Sequence, residues 1–228
     1  WCSSDGIHWD LVNDNVPWAP RALHHTLVFD NKIWVMGGQT MPGFAGGDEI
    51  FYNDVWNSPD GATWTRVTDK APWSPRDMIG GNVVFQNRMW ILGGGTYDTP
   101  TTPKRKEEER RKKNNDMWSS ADGVNWERHV ESAPWAPRQF HDVAVFDNNM
   151  WLLEGCQPKV SSRVVSIDQI GVNNRDVWYS ADGVNWYELP NTPWAPRHAA
   201  SLFVYKNALW MVAGNNMFPD VWKLTRRK

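Results

Sequence analysis

The sequence predicts an all-β fold assembled from four copies of one four-stranded unit, and two observations carry that expectation. The first is recurrence. Pro-Trp-x-Pro-Arg appears four times, ending at Arg21, Arg76, Arg138 and Arg197. The second is order. Each copy is followed by a Val/Phe stretch, then an apolar run through Trp34, Trp90, Trp151 or Trp210 that ends on glycine, then Asp-x-Trp at Trp56, Trp118, Trp178 or Trp222. Several elements recurring in one order are the signature of a repeat architecture. Helical periodicity is absent almost everywhere. The chain holds 17 Trp in 228 residues, and the repeat accounts for their placement.

Each unit reads as four short strands, a to d. Strand a is the Val/Phe stretch after Pro-Arg, and strand b is the apolar run. Between them stands Asn31, Asn87, Asn148 or Asn207, a residue type suited to a tight hairpin. The glycine that ends strand b permits close backbone approach. Strand c carries Asp-x-Trp. Strand d carries the Trp of Ser-x-Asp-Gly-x-x-Trp, at Trp64, Trp126 and Trp186, and a further copy, Ser3 to Trp9, precedes the first unit. A four-stranded unit repeated in sequence is the blade of a β-propeller. One blade cannot bury both of its faces, so neighbours must stack on it, and tryptophan suits that layer.

This pattern resembles the kelch repeat. The period is roughly 55–62 residues, near the ~50 of kelch arrays. The Ser-x-Asp-Gly-x-x-Trp hairpin also resembles the Asp-box turn of sialidase-type propellers, with its glycine one place early. The resemblance implies a propeller with ligands held on one face, usually of five to seven blades, and it implies no single activity. Residues 1–228 read as one propeller domain of four blades, the last completed by the strand around Trp9. The alternative is a fragment or half of a larger propeller. Export to the periplasm or cell exterior is an expectation drawn from resemblance alone.

Composition narrows the function classes. A net charge of -2 offers nucleic acid no electrostatic footprint. No 18-residue apolar run exists, so no membrane span is expected. Cys2 and Cys156 make neither a disulfide framework nor a C-x-x-C site. No Gly-x-Ser-x-Gly, P-loop or His-Glu-x-x-His is present. Metal ligation by His24, His25, His141 and His198 is considered and set aside, since the second repeat has Ile79 and Gly80 at that point. No cofactor is expected.

What remains points to binding. Arg21, Arg76, Arg138 and Arg197 sit in the d–a loops, on the face that binds ligands in the resembled family. They suit a carboxylate or anionic sugar, or else each pairs with the Asp of Asp-x-Trp. Trp18, Trp73, Trp135 and Trp194 stand three positions earlier and offer either stacking platforms or inter-blade packing. The long b–c loops contribute Phe44, Phe51 and Tyr52, the charged insertion at 99–115, and a Val/Ser-rich stretch with Ile167, Asp168 and Ile170. Loops of such length are commonly functional or disordered. The expected function is a non-catalytic binding or assembly module for a protein or glycan. Rivals are a kelch-type sugar (sialic acid) epimerase, using acidic residues such as Asp48, Glu49, Asp98 or Glu154, and a structural subunit that tiles as a homo-oligomer through its blade edges.

Overall fold

The computed structural model describes residues 1–77, 81–96, 113–157 and 171–225. The expectations placed on residues 97–112 of the charged insertion and on Asp98, Ile167, Asp168 and Ile170 lie outside the described residues.

The described chain is all-β, with one short helix, and forms four antiparallel sheets arranged as propeller blades. Blade one is β1 (His25–Phe29), β2 (Lys32–Met36), β3 (Val55–Ser58) and β4 (Thr65–Thr68), with α1 (Pro42–Ala45) in its b–c loop. Blade two is β5 (Asn82–Phe85), β6 (Arg88–Leu92), β7 (Met117–Ser120) and β8 (Glu127–Val130). Blade three is β9 (Asp142–Phe146), β10 (Asn149–Leu153), β13 (Val177–Ser180) and β14 (Tyr187–Glu188). Its b–c loop carries the ribbon β11 (Cys156–Gln157) and β12 (Val172–Asn173). Blade four is β15 (Ser201–Tyr205), β16 (Ala208–Val212) and β17 (Val221–Leu224). Within each blade the strands pair in sequence order.

The sequence dictates these hairpins locally. At every a–b turn both central residues have positive φ, as in Asp30 (50°) and Asn31 (54°) or Asp147 (54°) and Asn148 (55°). That is the type I′ geometry matched to strand twist, and asparagine tolerates it. The strand-b Trp then donates its indole N–H to the carbonyl five residues earlier, Trp34 to Phe29 at 2.8 Å and Trp90 to Phe85 at 3.0 Å. The c–d turn is a side-chain knot. Ser58 Oγ accepts from the Gly61 N–H at 2.7 Å, and Asp60 Oδ1 accepts from Ala62 and Thr63. Ser3 and Asp5 repeat the knot, as do Ser120 with Asp122 and Ser180 with Asp182.

Blades stack through β1 on β5, β5 on β9 and β9 on β15, and among the described residues no comparable packing joins β15 to β1. The Asp-Gly turn of one blade covers the strand-b Trp of the blade before it. A Cβ on Gly123 would lie 2.3 Å from the Trp34 ring, and one on Gly183 would lie 2.5 Å from Trp90. Only glycine allows that approach. Phe29, Trp34, Met36, Trp73, Met89 and Ile91 fill the first junction. Phe85, Trp90, Leu92, Trp135, Met150 and Trp186 fill the second.

The fourth blade differs from expectation. Its described sheet has three strands, and the segment around Trp9 does not join it. Cys2 pairs instead with Asp10, so this hairpin satisfies itself. It is held beside blade one, where Asn13 Nδ2 donates to the Ala62 carbonyl at 2.7 Å.

Candidate functional site: the loop face

The d–a and b–c loops meet on one face, and the Pro-Arg arginines frame it. Arg21 is bidentate to Asp54 at 2.6 and 2.9 Å, Arg76 to Asp116, Arg138 to Asp176 and Arg197 to Asp220. Each also donates to the carbonyl at the end of its own strand b: Gly37, Gly93, Glu154 or Ala213. Arg76 uses all five N–H groups, adding the Ser74 carbonyl and hydroxyl. The same Asp accepts the indole N–H two residues on, as Asp116 does from Trp118 at 2.9 Å. Burial alone would raise the Asp116 and Asp176 carboxyls, but the hydrogen bonds and charge of Arg76 and Arg138 outweigh it and hold both below their usual value. The within-blade pairing considered from the sequence is therefore the geometry found.

The backbone carbonyls of these arginines join neighbours: Gly38 N–H donates to Arg76, Gly94 to Arg138 and Gly155 to Arg197, at 3.0–3.1 Å. Asn53 Nδ2 and Asn115 Nδ2 grip the next Pro-Trp loop through its carbonyls. The Pro-Trp indoles pack edge-on against strand-d tryptophans, Trp18 on Trp64, Trp73 on Trp126 and Trp135 on Trp186, while Trp194 lies tilted against the strand-c Trp222. Trp73 and Trp135 are fully buried in the junctions, whereas Trp18 and Trp194 are half-buried.

Beneath the face lies a polar layer that sequence reasoning only touched. Gln139 donates to Asp77, Lys113 Nζ donates to the Cys156 carbonyl at 2.9 Å, and His198 meets Asn173 at 2.7 Å. His141 donates its Nε2 proton to the Leu92 carbonyl at 2.9 Å. Burial, then the charge of Arg138, pushes its imidazole down to about 3, so it is neutral. Burial, followed by His141 and Arg76, likewise keeps His25 neutral. Among the described residues no three His, Cys, Asp or Glu side chains converge as metal ligands would.

The layer's unusual member is Glu154. It occupies the position held by Gly37 and Gly93 and shares their left-handed backbone, with φ of 55°. A non-glycine residue there carries a steric cost of ~1 kcal/mol. Its Oε1 accepts the Ala200 N–H at 2.9 Å, across to blade four. Its carboxyl also faces that of Asp142, whose charge disfavours a second charge beside it. Burial first, and for Glu154 the facing Asp142 second, raises both above their ordinary range. Glu154 was visible in the sequence as a break in the Gly-Gly position. Asp142 was not, because an Asp at a strand start carries no signal of its own.

Nearer solvent, Tyr52 Oη bonds Thr40 Oγ1 at 2.6 Å and its ring lies under the Arg21 guanidinium, while Phe51 is half-buried. Phe44, on α1, is 87% exposed, and Met217 in the b–c loop of blade four is 85% exposed.

No protein-family model matches the chain. Alpha-scruin of Limulus polyphemus is 27% identical over 199 residues, a match that covers 86% of this chain and 19% of that protein. The solved structure of YjhT superposes with a TM-score of 0.63 at 18% identity, covering 87% of this chain and 60% of that one. The chain thus spans about a fifth of the first relative and three-fifths of the second, and the likeness to YjhT is one of fold. The described strands form a propeller-like arrangement of four blades.

Proposed function

We propose that the protein is a binding module whose loop face seats a segment of a partner protein. The observation that carries this reading is the contrast between the frame and the rim. The arginines are engaged with their aspartates, and Trp73 and Trp135 are buried, while Phe44, Met217 and the half-exposed Phe218 project from the b–c loops. Large apolar side chains on preorganised loops are interface anchors, and methionine adapts its shape to varied partners. Phe51 and Tyr52 brace the blade-one side of this rim. A glycan stacked on Phe44 is the narrower variant.

Arrays of immobilised peptides and of oligosaccharides, probed with the purified chain and with a Phe44→Ser/Met217→Ser variant, test the proposal. Retention on peptides that the variant loses supports it. Retention on sugars alone moves the ligand to a glycan, and retention on neither overturns it.

The Asp142–Glu154 pair favours a second reading, a sugar epimerase in which the protonated carboxyl acts as acid and its partner as base. Glu154 is fully buried beneath the loops, so a sugar would reach it only if they moved. Anomer exchange of free sialic acid, followed by NMR and abolished by Glu154→Gln, would put this reading first.

A further inference from the structure

We infer that Cys156 and Lys113 form an oxidative cross-linking site, at which hydrogen peroxide joins the Cys156 sulfur to the Lys113 nitrogen and ties blade two to blade three. The cross-link is read on the free protein, so it holds or fails whatever the loop face binds.

The repeat itself brings these two positions together. On the loop face each b–c loop returns beside the residue that follows the end of strand b: Phe51 pairs with Gln39, Lys113 with Gly95 and Asn173 with Cys156. Stacking then sets the returning residue of one blade against the corresponding strand-b end of the next. At the third junction Asn173 Nδ2 donates to Asn215 Oδ1 at 3.3 Å. At the second junction the same register sets Lys113 against Cys156. Lys113 Nζ donates to the Cys156 carbonyl at 2.9 Å and to its Sγ at 3.2 Å. At the first junction these positions hold Phe51 and Gly95. The second junction therefore differs from its neighbours in placing an amine on a thiol.

Both side chains are held in place, Lys113 being 7% exposed and Cys156 2%. Cys156 is fixed further by its pairing with Asn173 in β11 and its bridge to Gln139. Groups already held in contact lose little freedom on reacting, so their effective concentration is high. The thiolate is the form that attacks a peroxide, and the Lys113 N–H points at that sulfur. Gly171, itself half-buried, packs against both atoms: a Cβ there would lie 2.5 Å from Sγ and 2.9 Å from Nζ. The cover over the pair is thus a residue with no side chain, and hydrogen peroxide enters past it.

One peroxide suffices. The Cys156 sulfur attacks one peroxide oxygen, the O–O bond breaks, and a sulfenic acid and one water form. The Lys113 nitrogen, having given a proton to solvent, then attacks that sulfur. The S–N bond forms as the S–O bond breaks, and the oxygen leaves as a second water. Sulfur is oxidised by two electrons, peroxide is reduced, and the linked protein is lighter by two hydrogens. Two equivalents of an added thiol reverse the step, returning the free amine and thiol together with one disulfide of the reagent.

The test uses the 228-residue chain carrying Cys2→Ser, which removes the exposed thiol. It is treated with hydrogen peroxide, remaining thiols are blocked with iodoacetamide, and tryptic peptides are read by mass spectrometry. Expected is a pair of peptides joined at Lys113 and Cys156, two hydrogens lighter than their sum. Cleavage after Lys113 is lost and returns with dithiothreitol. The linked yield falls by about an order of magnitude or more when the chain is unfolded in urea before peroxide is added. Linking joins positions 43 residues apart, so the oxidised chain unfolds at higher urea concentration. Lys113→Arg keeps the positive charge without the amine. In that variant dimedone traps Cys156 as its sulfenic acid and no linked pair forms. Cys156 recovered with the iodoacetamide label after peroxide treatment of the folded chain overturns the inference. So does sulfinic or sulfonic acid on Cys156 without linkage, or a linked yield equal in folded and unfolded chains.

Discussion

Trp90 and Trp210 stand at the same position of their blades, yet one is 2% exposed and the other only half-buried. Both donate the indole N–H to the equivalent carbonyl, Phe85 and Tyr205. The difference lies in the adjoining blade. Trp90 is closed over by the Gly183 turn of blade three, whereas no glycine turn among the described residues closes over Trp210. In a stacked array the local hydrogen bond belongs to the repeat and the burial belongs to its neighbour. Identical sequence elements therefore differ in energy with their place in the stack.

The largest test of this contrast is truncation of the two tryptophans. Trp90→Ala is expected to lower stability by about 3–5 kcal/mol, the range for a buried aromatic, and Trp210→Ala by less than half of that. Urea unfolding of each variant reads the gap, and equal losses would break the comparison.

The next test moves to the covering glycine. Gly183→Ala and Gly6→Ala both place a side chain at positive φ, 79° and 75°, so the backbone strain is shared. Gly183 additionally drives its Cβ into Trp90, an overpacking loss of about 1–3 kcal/mol. The denaturation midpoint should fall further for Gly183→Ala by that margin. A Gly6→Ala variant as damaged as its counterpart would show that strain alone decides.

A third test sharpens the junction of blades three and four. Burial, and then Asp142, raises the Glu154 carboxyl above the 4.5 it has in the open chain. The folded state therefore holds the proton more tightly than the unfolded state. Its contribution is fully present below the unfolded value and fades as pH rises through neutral toward the folded one. Arg197 and the Ala200 N–H temper this without reversing it. Wild-type stability should decline between about pH 5 and pH 8, and Glu154→Gln, which cannot lose a proton, should flatten that decline. Parallel pH curves would remove Glu154 as the cause.

The smallest effect is a gain. Ala213 has φ of 55° at the site of Gly37 and Gly93. Ala213→Gly should relieve up to about 1 kcal/mol of strain, partly offset by the freer unfolded chain. A lower melting temperature for this variant would count against strain at that position.

Much of the frame was legible because each blade states it again. The type I′ turns, the Asp-Gly knots and the Arg–Asp pairs rest on residues close in sequence or repeated in register, so recurrence exposed them. The loop face was less legible. Phe44 could be named as a rim residue, whereas Met217 and Phe218 sit in a b–c loop too short to stand out by its length. The Asp142–Glu154 pair escaped notice because the two carboxyls meet only once β9 and the end of β10 lie side by side.

By itself the sequence determined four repeated units and their strand order, and it left two roles open for each Pro-Arg, because backbone preferences decide the hairpins while the arginine's partner is set across the blade. Tertiary structure alone decided which tryptophans are buried, that the Trp1–Asp10 hairpin pairs with itself rather than with β17, and that the carboxyls of Asp142 and Glu154 face each other beneath the loops. Those outcomes depend on desolvation by a neighbouring blade, and the neighbour is a property of the stack.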